Sequence, residues 1–336
     1  MNKPDMRSLL AERILVLDGA MGTMIQRYGL EESDFRGTLF VDHTHSQKGN
    51  NDLLCLTRPD IIREIHDQYL EAGSDILETN TFNANAISMH DYGMENQVYA
   101  INRAAAEIAS AAVSAYTRRT PGRPRYVAGA IGPTNRIATG KSTDTHTHAD
   151  KRVTFQAVGF NELREAYRRQ VEGLRDGGVD LLLIETVFNT LNARAVLDAI
   201  DEVFRNSPHQ LPVIISGVVT QGREHMVAGV PPDEFSEEIA HSALISLGMN
   251  CTEATTMLPN LERWQRSAAG YLAAFPSAGI PDRHGVYPVT STEFAAQCEA
   301  LLNHRQVRLA GGCCGTTPEH IRALAVRVKA IAGNTG

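Results

Sequence analysis

Eight short apolar runs recur along the chain, each closing on small or polar residues and each followed by a stretch of different period. In order they are RILVLDGAMG, SDILETNTF, RYVAGAIGPT, VDLLLIETVF, PVIISGVVT, LISLGMNC, YLAAFPSAG and VRLAGGCCG. The intervening segments, such as RPDIIREIHDQYLEAG and NELREAYRRQVEGLRDGG, set apolar residues three and four apart, as a helix packed on one face requires. Strand and helix signals in alternation predict a parallel sheet, and eight strands close a (β/α)8 barrel. A doubly wound sheet would open with a three-glycine phosphate loop, whereas the first run offers only Gly19 and Gly22. The pattern therefore predicts an α/β chain with a single (β/α)8 TIM barrel over residues 1–330 and a flexible tail at 331–336. Two connections are long, residues 27–60 and 133–160, and loops of that length commonly furnish or cover a site.

Composition narrows the function. The 336 residues suit one such barrel, and a net charge of −7 with Lys and Arg dispersed gives no footprint for nucleic acid. No apolar run approaches the roughly 18 residues of a membrane span. Asp5, Arg7, Glu12 and Arg13 interrupt the N-terminal stretch where a signal peptide would be continuously apolar, so a cytoplasmic protein is expected. In that reducing compartment five cysteines point to metal binding or reactivity before disulfides.

Barrel active sites lie at the C-terminal ends of the strands. The runs end on Asp18, Glu78 to Asn80, Gly132, Glu185, Ser216, Asn250 with Cys251, Ser277, and Cys313 with Cys314. Three cysteines thus meet at one rim. Adjacent side chains in a strand point to opposite faces, so Cys313 and Cys314 share a centre only if the backbone leaves strand geometry. Gly311, Gly312 and Gly315 permit that. Cys251, Cys313 and Cys314 suit tetrahedral Zn2+ with one position open, the catalytic rather than the structural arrangement. Thr317, Pro318 and Glu319 read as a helix start whose positive end favours nearby thiolates. A strained vicinal disulfide is the rival reading for the adjacent pair. Cys55 reads as a loop residue and Cys298 as part of an amphipathic helix, neither with a chemical role.

A zinc ion on three thiolates carries a formal charge of minus one, which suits holding a fourth, exogenous thiol as a nucleophile better than making hydroxide. The implied chemistry is alkyl transfer to a thiol. An amino-acid thiol needs acidic groups for its ammonium, and Asp18 and Glu185 stand on the same rim. Strand-end carboxylates bonded to backbone amides or Arg are the alternative reading of that pair.

ERILVLDGAMGTMIQ, KGNNDLL, EAGSDILETNTFNANA, RYVAGAIGPTNR, DLLLIETVFNTLNA, GMNC and GGCCGTTPEHI together resemble, nearly end to end, the homocysteine S-methyltransferase family. GNNDLL and LDGAMGTMIQ place the resemblance on its cobalamin-dependent methionine synthase branch, at the N-terminal homocysteine-binding module. The resemblance implies that Cys251, Cys313 and Cys314 are both the Zn2+ ligands and the catalytic centre. It also implies that Asp18 and Glu185 hold the amino group of L-homocysteine, with backbone amides near Gly19 and Ala20 for its carboxylate and Phe82 and Asn83 bordering it. Methylcobalamin on a separate module or chain is the implied methyl donor, with cobalamin- and folate-binding methionine synthase modules or a subunit as partners. A donor such as S-methylmethionine or betaine, or a non-catalytic homocysteine-binding subunit, are the alternatives.

Three stretches depart from the family pattern. Pro276, Ser277, Ala278 and Gly279 stand where relatives read Pro-Asn-Ala-Gly, leaving water or Ser277 to complete the resting zinc shell. AGVPPDEF at 228–235 replaces a Ser-Gly-Gln-Thr segment. STDTHTHADKRV at 142–153 replaces a shorter loop, and its His146 and His148 read as loop histidines rather than a second metal site.

Overall fold

The computed structural model describes residues 3–139, 156–208, 210–219, 226, 231–264 and 270–333. Ten strands are described: β1 Leu15–Val16, β2 Ile76–Glu78, β3 Tyr126–Ile131, β4 Arg136–Thr139, β5 Gln156–Gly159, β6 Leu181–Val187, β7 Val213–Gly217, β8 Leu244–Asn250, β9 Tyr271–Phe275 and β10 Val307–Ala310. Eight of them form one parallel sheet in the order β1-β10-β9-β8-β7-β6-β3-β2. A parallel bridge between Leu17 and Ile76 brings its two edges together. The Asp75 amide donates to Val16 O at 2.7 Å and the Asp18 amide to Ile76 O at 3.1 Å across the same seam. Each of the eight apolar runs supplies one barrel strand, as expected from the sequence.

Strand alternation divides the core in two. Leu15, Leu17, Ile76, Leu181, Leu183 and Ile214 meet inside the barrel with Met6, Leu9 and Leu10 of the helix Met6–Glu12, which stoppers the N-terminal end. Residues of the other parity, among them Val16, Leu77, Val127, Leu182 and Ile215, pack outward against the helices. Burial on both faces explains why the strands read as continuous apolar runs. The same period fixes the site: Glu78 lies two residues past inward Ile76, and Glu185 two past inward Leu183. Interior apolar register thus turns into acidic register at the C-terminal rim.

The second long connection carries structure of its own, because β4 and β5 pair in parallel as a two-stranded ribbon. Residues 140–155, with His146 and His148, lie outside the described residues, as do 228–230 of the 228–235 departure. The last helix, Pro318–Gly333, continues three residues beyond the 330 boundary. Cys55 is helical rather than a loop residue: it lies in the helix Leu54–Thr57, buried. Cys298 is buried where the helix Ser291–Gln297 gives way to Glu299–Leu302. No helix among the described residues is long and apolar enough to cross a membrane.

The helix Pro59–Ala72 turns Ile61, Ile62, Ile65 and His66 inward. His66 is fully buried, and neither ring nitrogen has a hydrogen-bond partner. Burial, with Arg63 adding to it, lowers its imidazole from 6.5 to about 3. The folded chain therefore holds it neutral, while the unfolded chain protonates it below about pH 6.5. Stability is fully present above that pH and is lost towards pH 3, with a slope approaching about 1.4 kcal/mol per pH unit from this one group. His66→Leu is expected to remove that share of the acid sensitivity and to change stability at pH 8 by less than about 1.5 kcal/mol. Urea unfolding of both proteins between pH 8 and pH 4 checks this; parallel acid limbs would refute it.

Candidate metal and substrate site

Cys251 directly follows β8 with φ 54°, a left-handed backbone that non-glycine residues seldom adopt. Cys313 and Cys314 follow β10 in a loop held on both sides. The Cys313 amide donates to Pro276 O at 2.8 Å, the Ala278 amide to Cys314 O at 2.9 Å, and the Gly312 amide to Asp18 O at 3.0 Å. Gly315, at φ 79°, closes the turn, and the Cβ of an alanine there would collide with the Tyr287 ring. The loop so shaped brings two neighbouring side chains round to Cys251.

The Cys314 sulfur lies 3.8 Å from that of Cys251 and 3.9 Å from that of Cys313. Zn–S bonds of about 2.3 Å in a tetrahedron place sulfurs about 3.8 Å apart, so these two edges have the length a zinc ion needs. Cys251 and Cys313 are closer, at 2.7 Å, and that edge must open by about 1 Å around such an ion. Three soft sulfur donors on a rim, with no His, Asp, Glu or further Cys joining the cluster among the described residues, fit Zn2+ with an open position. Hydrogen bonds from Cys251 and Cys313, with Tyr287 adding a third, push the Cys314 thiol down to about 3. Contacts with Cys251 and Cys314, then burial, push the Cys313 thiol up.

Asn250 ties this cluster to the barrel. Its buried carboxamide oxygen accepts from Ser216 Oγ at 3.0 Å and from the Thr186 amide at 3.1 Å. Its nitrogen donates to Thr186 Oγ1 at 2.7 Å and faces the sulfurs of Cys251 and Cys313 at 3.5 and 3.9 Å. Thr186, a β-branched residue at φ 57°, is the other strained non-glycine position among the described residues, and Asn250 binds both its amide and its hydroxyl.

The sulfurs, Glu185, Glu78, Asp52 and Tyr287 line one cavity of about 420 Å³ at the C-terminal mouth. Burial raises the Glu185 carboxyl to about 8, with Cys314 and Asp52 adding to it. Glu78 is raised well above the usual range by burial, then by Glu185 and Asp18. Asp18 stands behind Glu78: both its oxygens accept the Glu78 amide, at 3.1 and 3.2 Å, and it does not line the cavity. Burial raises its carboxyl too. Asp52 is raised to about 7 by burial and accepts the Asn83 amide at 3.0 Å.

Gly19, Ala20, Phe82 and Asn83 line the cavity beside Glu185. The Ala20 amide already donates to Thr316 Oγ1 at 3.2 Å. Ser277 is buried outside the cavity, its amide donating to Thr252 O at 3.0 Å; the side chain that reaches Cys314 in this region is Tyr287. Sequence reasoning noted Glu78 and Asn250 as strand ends without giving them roles, and missed Asp52 and Tyr287. Parity with Ile76 was the available signal for Glu78; Tyr287 comes from a loop without local period.

Gly315→Ala is expected to cost about 2 kcal/mol or more from the left-handed backbone and the displaced Tyr287 ring. Denaturant melts read the loss, and zinc titration should show weakened binding. An unchanged melting curve would show that Tyr287 can move aside freely.

A family model described as homocysteine S-methyltransferase matches residues 15–328. Among solved structures, the metallated form of Escherichia coli homocysteine methyltransferase MmuM is 25% identical, with 96% of this chain and 99% of that one covered and a TM-score of 0.70. Its oxidized form is likewise 25% identical, with 97% and 100% covered and a TM-score of 0.72.

Proposed function

The chain belongs to the homocysteine S-methyltransferase family and is a methyltransferase, and from that premise we propose that it makes methionine at the mouth cavity in a zinc-dependent reaction. One observation carries the reading: three mutually close cysteine sulfurs face the same cavity as inward-register Glu185 and Glu78. A Zn2+ ion on Cys251, Cys313 and Cys314 would supply the Lewis acidity that turns a thiol into a thiolate at neutral pH. The chain's own residues do the rest. Glu185 and Glu78 receive the homocysteine ammonium, with Asp18 holding the Glu78 backbone amide from behind. Gly19 and Ala20 border the substrate carboxylate, and Phe82 and Asn83 close the side of the cavity. Anchored at that end, the amino acid presents its sulfur at the cysteines, with the methyl group arriving through the open mouth; fixing that direction is a large part of the catalysis.

Methylcobalamin carried by a separate cobalamin- and folate-binding module or chain is the donor we propose. A second reading has its own support. Glu78 and Asp52 leave the cavity with more acid than one ammonium needs, which suits a cationic donor such as S-methylmethionine or betaine. Supplying each donor with homocysteine and measuring methionine separates the two, and turnover with none would leave a homocysteine-binding subunit.

Zinc-edge X-ray absorption is the direct test of the site. Three sulfur neighbours should become four when L-homocysteine is added, and Cys251→Ala, Cys313→Ala or Cys314→Ala should lose both zinc and transfer. A sulfur count that homocysteine leaves unchanged would overturn the proposal. Glu185→Gln removes one charge from the ammonium pocket and is expected to weaken homocysteine binding about tenfold or more, with zinc content retained. Calorimetric titration of the zinc-loaded variant reads it; equal affinity would remove Glu185 from the substrate.

A further inference from the structure

The N-terminal end of the barrel, opposite the catalytic mouth, carries the reverse polarity. Two recesses of about 310 and 590 Å³ adjoin there, sharing Arg123, Ala325 and Lys329 in their walls. Eight of their lining residues are Lys or Arg and three are Asp or Glu, in a chain whose net charge is −7. The imbalance reaches into the protein. Asp75, 1% exposed, takes Arg13 at 2.9 and 3.2 Å and Arg123 at 2.9 Å, and also accepts the Val16 amide at 3.0 Å. Arg125, 4% exposed, finds only carbonyls: its Nε donates to Ser74 O at 2.8 Å, and a second nitrogen donates to Arg123 O. One carboxylate thus takes two guanidinium groups, and the third, that of Arg125, has no carboxylate among its hydrogen-bond partners. Arg308, in the wall of the larger recess, has a buried Nε with no hydrogen-bond partner.

Buried charge without a counter-charge is costly, and guanidinium groups are matched by the paired oxygens of phosphate. Even with burial and Arg123 lowering it to about 10, Arg125 is a cation at neutral pH. The recesses have the volume of small-molecule sites rather than of a flat protein interface. Ile14, Leu302, Val307 and Val328 give the larger one an apolar wall beside Arg305 and Arg308. We propose that this end of the barrel is a second ligand site, for a small organic phosphate of the nucleotide class, its phosphates among Arg123, Arg125 and Lys329 and its ring system against the apolar wall. The site stands apart from the catalytic mouth and does not depend on the methyl donor.

Calorimetric titration of the zinc-loaded protein with ADP in excess Mg2+, with inorganic pyrophosphate and with adenosine tests it. ADP is expected to bind with a dissociation constant below about 1 mM, pyrophosphate more weakly, and adenosine not measurably. Lys329→Gln, at an exposed position, and Arg308→Gln should each weaken ADP about fivefold or more without changing zinc content or homocysteine binding. No binding of ADP, or binding that both substitutions leave unchanged, overturns the site. Adenosine binding as tightly as ADP overturns the role of the charges, and pyrophosphate binding as tightly as ADP overturns the nucleotide assignment.

Discussion

Closure of the parallel ring is the constraint on which the rest depends. Once Leu17 and Ile76 join β1 to β2, every strand has a partner on both sides and its side chains must alternate between interior and exterior. A one-residue slip in any strand would exchange the two sets. Glu78 and Glu185 face the mouth because Ile76 and Leu183 face the interior below them. The apolar interior that holds the barrel together therefore also aims the charges at its end.

Aiming is not the same as accommodating. Burial disfavours the charged forms of carboxyls packed this closely, and their mutual repulsion adds to the cost, while among the three thiols one thiolate, that of Cys314, is favoured at the expense of the Cys313 thiol. The raised Asp18, Glu78 and Glu185 carboxyls and the raised Cys313 thiol express it. The backbone adds its own strain at Thr186 and Cys251, and the Asn250 carboxamide, bonded to Thr186 and facing two sulfurs, spans both. On the proposed reading, the ammonium of the substrate and the charge of the metal ion offset what this crowding of acidic groups costs the fold. Stability given up at a site and recovered on binding is the usual relation between strain and function.

Much of this was legible beforehand, and the physical reasons separate what was from what was not. Eight runs buried on both faces cannot hide in a sequence, and cysteines at two strand ends follow directly from them. Parity also carries further than reading strand ends alone. Leu15 and Leu17 are interior, so Asp18 takes the other phase, and its carboxylate meets the Glu78 amide instead of the cavity. Asp52 and Tyr287 obey no such period. Asp52 is delivered by a long connection whose Asn51 carbonyl accepts from Asn80 at 2.7 Å, and Tyr287 by the loop whose ring packs on Gly315. The short helix holding Cys55 and the β4–β5 ribbon are likewise too brief to show a period.

The same ring separates its two ends electrically. At the mouth, carboxyls converge because inward positions there end in Glu78 and Glu185, with Asp18 and Asp52 close by. At the other end Arg13 and Arg123 pair with a single buried Asp75, and Arg125 and Arg308 add two more guanidinium groups to the walls of the adjoining recesses. Neither accumulation follows from packing, which would be satisfied by neutral residues at every one of these positions. A barrel needs its interior apolar and its ends merely closed, as Met6, Leu9 and Leu10 close one of them. Charge of one sign gathered at each end, in excess of its local partners, is the signature of surfaces shaped by what they meet. The acidic mouth suits the ammonium of an amino acid, and by the same electrostatic logic the basic end suits an anion.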